Sequence, residues 1–132
     1  MSHENLESIR RAFPESGPTN LEALLSILDE QVEWDYVGAF PETTTYRGPE
    51  EVREFLAEWS GAFDDFGIEA EEVIDAGESV IVLIHQWGRG KQTGADVESR
   101  TWQVLDFRDG KVVHCRGYAS RAEAFKAAGL SE

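Results

Sequence analysis

The chain has 132 residues and a formal charge of −14, with 26 acidic against 12 basic side chains. An anionic surface repels the phosphates of nucleic acids and anionic membranes, so both are excluded as partners. The single cysteine, Cys115, excludes a disulfide framework and a thiolate metal cluster. No apolar run reaches the roughly 20 residues of a membrane helix, and the polar start resembles no signal peptide. We therefore expect a single cytoplasmic domain over residues 1–132.

Two short helices are predicted at the start of the chain. Ile9 and Phe13 lie on the apolar stripe of the first helix, and the stretch 14–18, with two prolines and a glycine, ends it. The second helix is predicted to begin at Thr19, because Glu22 three residues later completes a capping box.

A strand and a third helix follow. Residues 32–37 alternate between apolar and acidic side chains, which predicts a strand. A loop over 40–47 leads to Gly48-Pro49, and the acidic residues after this pair favour the start of a helix. The helix is predicted to extend to about Phe63. The strand puts Trp34 and Tyr36 on one face and Asp35 on the other.

The second half of the chain is predicted to form a sheet. The candidate strands are 67–75, 79–90, 97–107 and 111–118, and Asp109-Gly110 is a strong hairpin signal between the last two. Ser120, with Glu123 three residues later, predicts a final helix. Helices early and a long antiparallel meander late indicate an α+β fold with the helices on one face of the sheet.

Several stretches in this order carry a family resemblance: 32–36 (VEWDY), 46–52 (YRGPEEV), 109–113 (DGKVV) and the tail 116–130. On these residues the chain resembles the nuclear transport factor 2-like superfamily, in particular its SnoaL-like branch, which includes polyketide cyclases and is akin to ketosteroid isomerase. The resemblance implies a cystatin-like cone of strongly curved antiparallel sheet. Its concave face would be covered by the three helices of the N-terminal half and would enclose one ligand pocket. It does not imply a chemistry, because the superfamily hosts several enzyme types and non-enzymes.

The catalytic groups of the resembled enzymes are replaced here. The general-base carboxylate of ketosteroid isomerases falls at Trp34, their tyrosine near Ala12-Phe13 and their protonated acid at Gln103. The Asp–Arg–Asp set of limonene-epoxide-hydrolase-like members is also absent, since its last acid falls near Gly117. Asp35 is next to the base position, but alternation points it away from the pocket.

By analogy with the same family, His85, Trp87 and Arg89 of the strand 79–90 are expected on the concave face. His85 would then be a general acid or base, since an imidazole titrates near neutral pH, or else a buried neutral ring that packs. Gln103 would donate a hydrogen bond to a ligand carbonyl, or be a satisfied core amide. Arg89 would clamp a carboxylate or lie in a solvated hairpin tip. The ligand-binding candidates share an expected place in the cavity or at its mouth: Trp34, Tyr36, Tyr46, Phe55, Trp59, Trp87, Arg89 and Cys115.

These residues leave two main functions open. One is a cofactor-free isomerase, cyclase or dehydratase that moves a proton through His85 on a small hydrophobic, carbonyl-bearing metabolite. The other is a non-catalytic protein that binds such a metabolite, and a purely structural module with a filled pocket is a third possibility. No cofactor is expected. A metal site is not expected either, because His3, His85 and His114 have no ligand-like spacing with each other or with Cys115.

A self-association surface is also predicted. Trp102 and Tyr118 fall on the outer sheet face, where an exposed apolar patch would mark an interface. We expect a two-fold homodimer through that face.

Overall fold

The computed structural model describes residues 2–14, 19–36 and 44–130. Within these ranges the chain forms four helices and six strands, which confirms the α+β class. In chain order they are α1 (Ser2–Ala12), α2 (Leu21–Ser26), β1 (Leu28–Tyr36), β2 (Thr44–Arg47), α3 (Gly48–Gly61), β3 (Phe63–Ala76), β4 (Ser79–Gly90), β5 (Asp96–Arg108), β6 (Lys111–Tyr118) and α4 (Arg121–Ala127).

Short side chains fix the starts of two helices. The Ser120 hydroxyl accepts the Glu123 backbone N–H at 3.2 Å, so the predicted cap of α4 is confirmed. The predicted cap of α2 is one residue off, because Asn20 Oδ1 accepts the Ala23 N–H at 3.0 Å. Thr19 instead donates its hydroxyl to the Ile68 carbonyl at 2.8 Å, which ties the start of α2 to the sheet.

The six strands form one open sheet in the order β2-β1-β6-β5-β4-β3. Strands β3 to β6 are the predicted meander, and Asp109 and Gly110 both adopt positive φ (52° and 80°), as a tight hairpin turn requires. The expectation of a wholly antiparallel sheet is wrong at one pair, since β1 runs parallel to β6. The expected loop over 40–47 is also corrected: its last part, from Thr44, is strand β2, paired with β1, and residues before Thr44 lie outside the described ranges.

Both faces of the sheet are covered in part, by different helices. We call the side that packs against α1, α2 and α3 the inner face; Ile9, Phe13 and Val52 meet Ile84 and Leu105 there in the main core. We call the other side the outer face. Helix α4 covers one part of it, where its Ala124 and Phe125 pack against Ile81 of β4 and Val104 of β5.

The register decides which face each side chain of β4 occupies, because directly paired residues share a face. Gln103 lies opposite Val82, which belongs to the inner core. His85 lies opposite Arg100, one residue out of phase with that core. The expected placement of His85, Trp87 and Arg89 on the helix-covered face is therefore wrong. The physical reason is that the first half of β4, from Val80 to Ile84, is apolar on both sides, since α4 packs against its outer face at Ile81, and alternation there cannot orient the strand.

Candidate functional site

A cavity lies between the helices and the inner face. Apolar side chains from α2, α3 and the sheet line it, together with Phe13 directly after α1, and the polar members of its lining are two glutamines. Its open volume is about 20 Å³, which is room for about one water molecule. The lining residues that matter below are Phe13, Leu24, Trp34, Phe55, Gln86 and Gln103.

The two glutamines are buried and line this cavity from adjacent strands. Gln86 is 6% exposed and Gln103 is 8% exposed. Ser99 donates its hydroxyl to Gln86 Oε1 at 3.3 Å, and the Cys115 thiol donates to Gln103 Oε1 at 3.8 Å. With both carboxamide oxygens engaged, the N–H groups of both side chains are the donors that remain for a ligand.

Cys115 belongs to the same site but is not a nucleophile. It is 1% exposed and lies opposite Trp34 in the β1–β6 register. Burial, with smaller contributions from the charges of Asp106 and Asp35, raises the pKa of the Cys115 thiol far above its usual range. A thiol in this state acts as a small apolar group and weak donor.

Aromatic rings close one side of the cavity. Trp34 is 4% exposed and pairs with Tyr46 of β2. The Tyr46 ring stacks on Phe55 of α3 with a centroid distance of 4.5 Å and an interplanar angle of 26°. The structure thus brings together five expected residues: Trp34, Tyr46, Phe55, Gln103 and Cys115. Tyr36 and Trp59 lie on β1 and α3, and their side chains lie outside the described part of the structure.

His85 lies on the outer face, where it cannot reach a ligand in this cavity. Its Nδ1 is 3.2 Å from Glu69 Oε1, and its Nε2 is 3.1 Å from Glu98 Oε2. Its ring contacts the Trp87 ring, with a distance of 4.8 Å between the ring centroids. Desolvation disfavours the protonated ring, but hydrogen bonds with Glu69 and Glu98 outweigh it and raise the pKa of His85.

Two further expected residues are exposed at the strand ends. Trp87 is 36% exposed. Arg89 pairs with Asp96 at 3.4 Å in the hairpin tip, which agrees with the predicted alternative of a solvated position. The residue that sequence reasoning missed is Gln86, for which the pattern of β4 offers no signal.

A second ionic cluster on the outer face involves Asp35, whose predicted direction away from the cavity is confirmed. Asp35 Oδ2 is 2.7 Å from His114 Nε2, and the Thr45 hydroxyl donates to Asp35 Oδ1 at 2.6 Å. Arg116 pairs with Asp106 at 3.0 Å beside them. These charged groups face away from α1, α2 and α3, so the cavity keeps a neutral lining among the described residues.

Residues 9–115 match the model of the SnoaL-like domain. The structure is similar to an NTF2-like protein from Burkholderia thailandensis E264, with 23% identity, a TM-score of 0.76 and coverage of 96% of this chain and 98% of that chain. It is similar to another NTF2-like protein, from Burkholderia xenovorans LB400, with 24% identity, a TM-score of 0.69 and coverage of 97% and 98%.

A third similar structure is TerC, which was co-crystallized with polyporic acid; the identity is 20%, the TM-score 0.69 and the coverage 96% of this chain and 98% of that chain. At such identities the likeness shows the fold. A comparison with curated proteins gave no match. Among the described residues, none of the helices is long and apolar enough to cross a membrane.

Proposed function

Because the chain belongs to the SnoaL-like domain family, whose fold does not fix one activity, we propose its function from the cavity itself. The protein binds a small hydrophobic metabolite that carries a carbonyl group. The observation that carries this proposal is the pair of buried amides, Gln86 and Gln103, in an otherwise apolar lining.

The amides supply orientation and the apolar walls supply most of the affinity. Ligand sites are commonly apolar with a few well-placed polar groups. A carbonyl oxygen between the two side chains would accept N–H bonds from Gln86, Gln103 or both, and each bond contributes about 0.5–1.5 kcal/mol net. A ligand without an acceptor would leave these donors unpaired, so the pair selects for carbonyl compounds.

A ligand larger than water requires the wall to move, since ligand pockets usually measure roughly 300–1,000 Å³. Phe55 and Leu56 line the cavity and are only half-buried, and both belong to α3. Rotation of these two side chains would open the cavity without breaking the sheet. The similar protein TerC was co-crystallized with a small molecule, which supports small-ligand binding for this fold.

Catalysis of proton transfer has less support than binding. The described lining of the cavity offers amides and apolar groups but no carboxylate or imidazole. A base for a carbon acid would have to come from elsewhere, and His85 is on the opposite face. We therefore propose binding without catalysis as the primary function.

The test uses a neutral fluorescent ketone, 6-propionyl-2-dimethylaminonaphthalene, whose emission shifts to the blue in apolar surroundings. We expect saturable binding of one equivalent per chain. Gln103→Leu removes one donor and should weaken binding by about tenfold, the equivalent of one hydrogen bond. Gln86→Leu should act in the same direction.

Gln92→Leu is the matched control, because Gln92 is exposed in the turn after β4 and its loss should not change the affinity. The absence of saturable binding by any apolar ketone would show that the cavity is a filled core. Unchanged affinity in a Gln86→Leu/Gln103→Leu double variant would show that the amides do not contact the carbonyl.

We also propose a homodimer through the outer face. Leu83, Trp102 and Tyr118 are register neighbours on β4, β5 and β6 and form a half-buried apolar row. Helix α4 already packs against Trp102 and Tyr118, so the patch is smaller than the sequence suggested. Light scattering at micromolar concentration should give a dimer mass and Trp102→Glu a monomer; a monomeric wild type would contradict the proposal.

A cytoplasmic location stays a prediction. The excess of acidic side chains and the single cysteine support it.

A further inference from the structure

We propose that the outer face carries a binding site for a first-row divalent metal cation such as Zn²⁺, with His85, Glu69 and Glu71 as ligands. Each of these side chains offers one ligand atom, and the three atoms lie within 4.8 Å of one another. The site is on the other side of the sheet from the cavity and is independent of the proposed ligand binding.

The sheet register and a β-bulge build this set. Glu69 on β3 is directly paired with His85 on β4, which puts its carboxylate beside the ring. The register then shifts between Ala70 and Glu72, so Glu71 is an extra residue in β3. Both carboxylates consequently approach the same ring nitrogen: His85 Nδ1 is 3.2 Å from Glu69 Oε1 and 3.9 Å from Glu71 Oε2. Bulges commonly re-aim a side chain in this way.

The other ring nitrogen lies close to a third carboxylate, although the geometry between them is not that of a hydrogen bond. His85 Nε2 is 3.1 Å from Glu98 Oε2 on β5. Metal-binding histidines usually give their second N–H to a carboxylate, and Glu98 is the carboxylate near enough to accept it after a small side-chain rotation. In the neutral tautomer with its proton on Nε2, the lone pair of Nδ1 would be directed at Glu69 and Glu71. The ring is also held in place, since its side chain is only 14% exposed and contacts Trp87.

Arg100 is bonded to one of the three proposed ligands. Its Nε is 2.7 Å from Glu71 Oε1 and one of its terminal nitrogens is 3.2 Å from Glu71 Oε2. Its other terminal nitrogen is 3.3 Å from Glu98, so Arg100 retains a partner if Glu71 turns towards a metal. Arg100 is therefore a competitor for Glu71 and lowers the affinity of the site without blocking it.

The donor atoms determine the class of metal. One imidazole nitrogen and two carboxylate oxygens suit Zn²⁺ and its neighbours better than Mg²⁺ or Ca²⁺, which prefer oxygen donors alone. Three protein ligands leave further positions to water. The cation would join β3 to β4 on their outer face.

The experiment is calorimetric titration of Zn²⁺ into the full chain, free of any histidine tag, near pH 7.5. We expect one equivalent to bind with micromolar affinity and to raise the melting temperature. His85→Gln removes the nitrogen ligand and should weaken binding by at least about tenfold. Glu69→Gln should weaken binding to a similar extent, and this variant provides the test if His85→Gln fails to fold.

His114→Gln is the matched control. The two nitrogens of His114 face different carboxylates, Asp35 at 2.7 Å and Asp106 at 3.9 Å, so neither nitrogen has two carboxylates beside it. This variant should bind Zn²⁺ as the wild type does. Arg100→Gln should tighten binding several-fold, because it frees Glu71.

Three results would overturn the proposal. They are no saturable Zn²⁺ binding at millimolar concentration, unchanged affinity in both His85→Gln and Glu69→Gln, and binding of Mg²⁺ as tight as that of Zn²⁺. The last result would indicate general attraction to an acidic surface. Melting curves in a chelator show which variants are folded.

Discussion

The inner and outer faces of one sheet carry opposite chemistry. On the inner face, β4, β5 and β6 present apolar side chains, two amides and a thiol. On the outer face, the same strands present the ionic clusters around His85 and His114, together with an apolar part against which α4 packs. Successive residues of a strand alternate between faces, so these environments are one residue apart along the chain.

The difference shows how packing sorts polar groups. An ionised side chain between the sheet and helices α1 to α3 would lose its hydration and gain no compensating interaction. Its burial would cost far more free energy than the burial of an amide that forms a hydrogen bond. Acids and histidines therefore collect where water reaches them and where they can pair. The consequence is that an ionisable residue in this strand pattern marks the outer face, and a lone buried amide marks the ligand side.

The largest expected effect concerns the dryness of the inner face. Cys115 is buried and the pKa of its thiol is raised by burial, so a disulfide reagent should react with it about a thousandfold or more slowly in buffer than in urea. Gln92→Cys, placed in a Cys115→Ser background, is the control, because position 92 is exposed in the turn after β4 and should react quickly. Reaction of native Cys115 within seconds would mean that water reaches the inner face.

The next effect tests the orientation of β4. Ile84 is fully buried on the inner face, whereas its neighbour Leu83 is half-buried on the outer face. Ile84→Ala should cost about 3 kcal/mol of unfolding free energy, and Leu83→Ala about 1 kcal/mol. Urea unfolding at one fixed protein concentration, with unchanged m-values, measures both. The reverse order would place His85 back on the inner face.

The smallest effect tests the ion pairs of the outer face. Burial opposes ionisation of Asp35, but hydrogen bonds from Thr45 and His114 and nearby positive charge outweigh it, so its pKa is lowered. A lowered folded-state pKa contributes stability above the unfolded value of about 3.9, and that stability is lost as the pH falls through the folded-state pKa. Asp35→Asn should therefore cost about 1–2 kcal/mol at pH 7 and almost nothing at pH 2.

Asp64→Asn, at an exposed position of β3, is the control and should leave the stability unchanged at both pH values. An equal cost of Asp35→Asn at pH 7 and pH 2 would show that its charge is not what stabilises the outer face.

The candidate site was predictable in part. Trp34, Gln103 and Cys115 were assigned to the cavity, and the register places all three on the inner face. Gln86 was missed and His85 was misplaced for the same reason, because the two faces of β4 were interchanged in the prediction. The run from Val80 to Ile84 is apolar at every position, and only the cover from α4 explains why its outer members are also apolar. A strand buried on both faces carries no alternation from which to read its orientation.

The sequence by itself determined the α+β class, the meander of the second half, the cap at Ser120 and the tight turn at Asp109-Gly110, because capping, turn chemistry and periodicity act over a few neighbouring residues. Only the tertiary structure decided the parallel pairing of β1 with β6, the phase of β4 and the meeting of Glu69, Glu71 and His85. Those features depend on register and on a bulge between strands. The spacing of histidines and cysteines along the chain could not reveal a cluster whose members come from opposite strands of a hairpin.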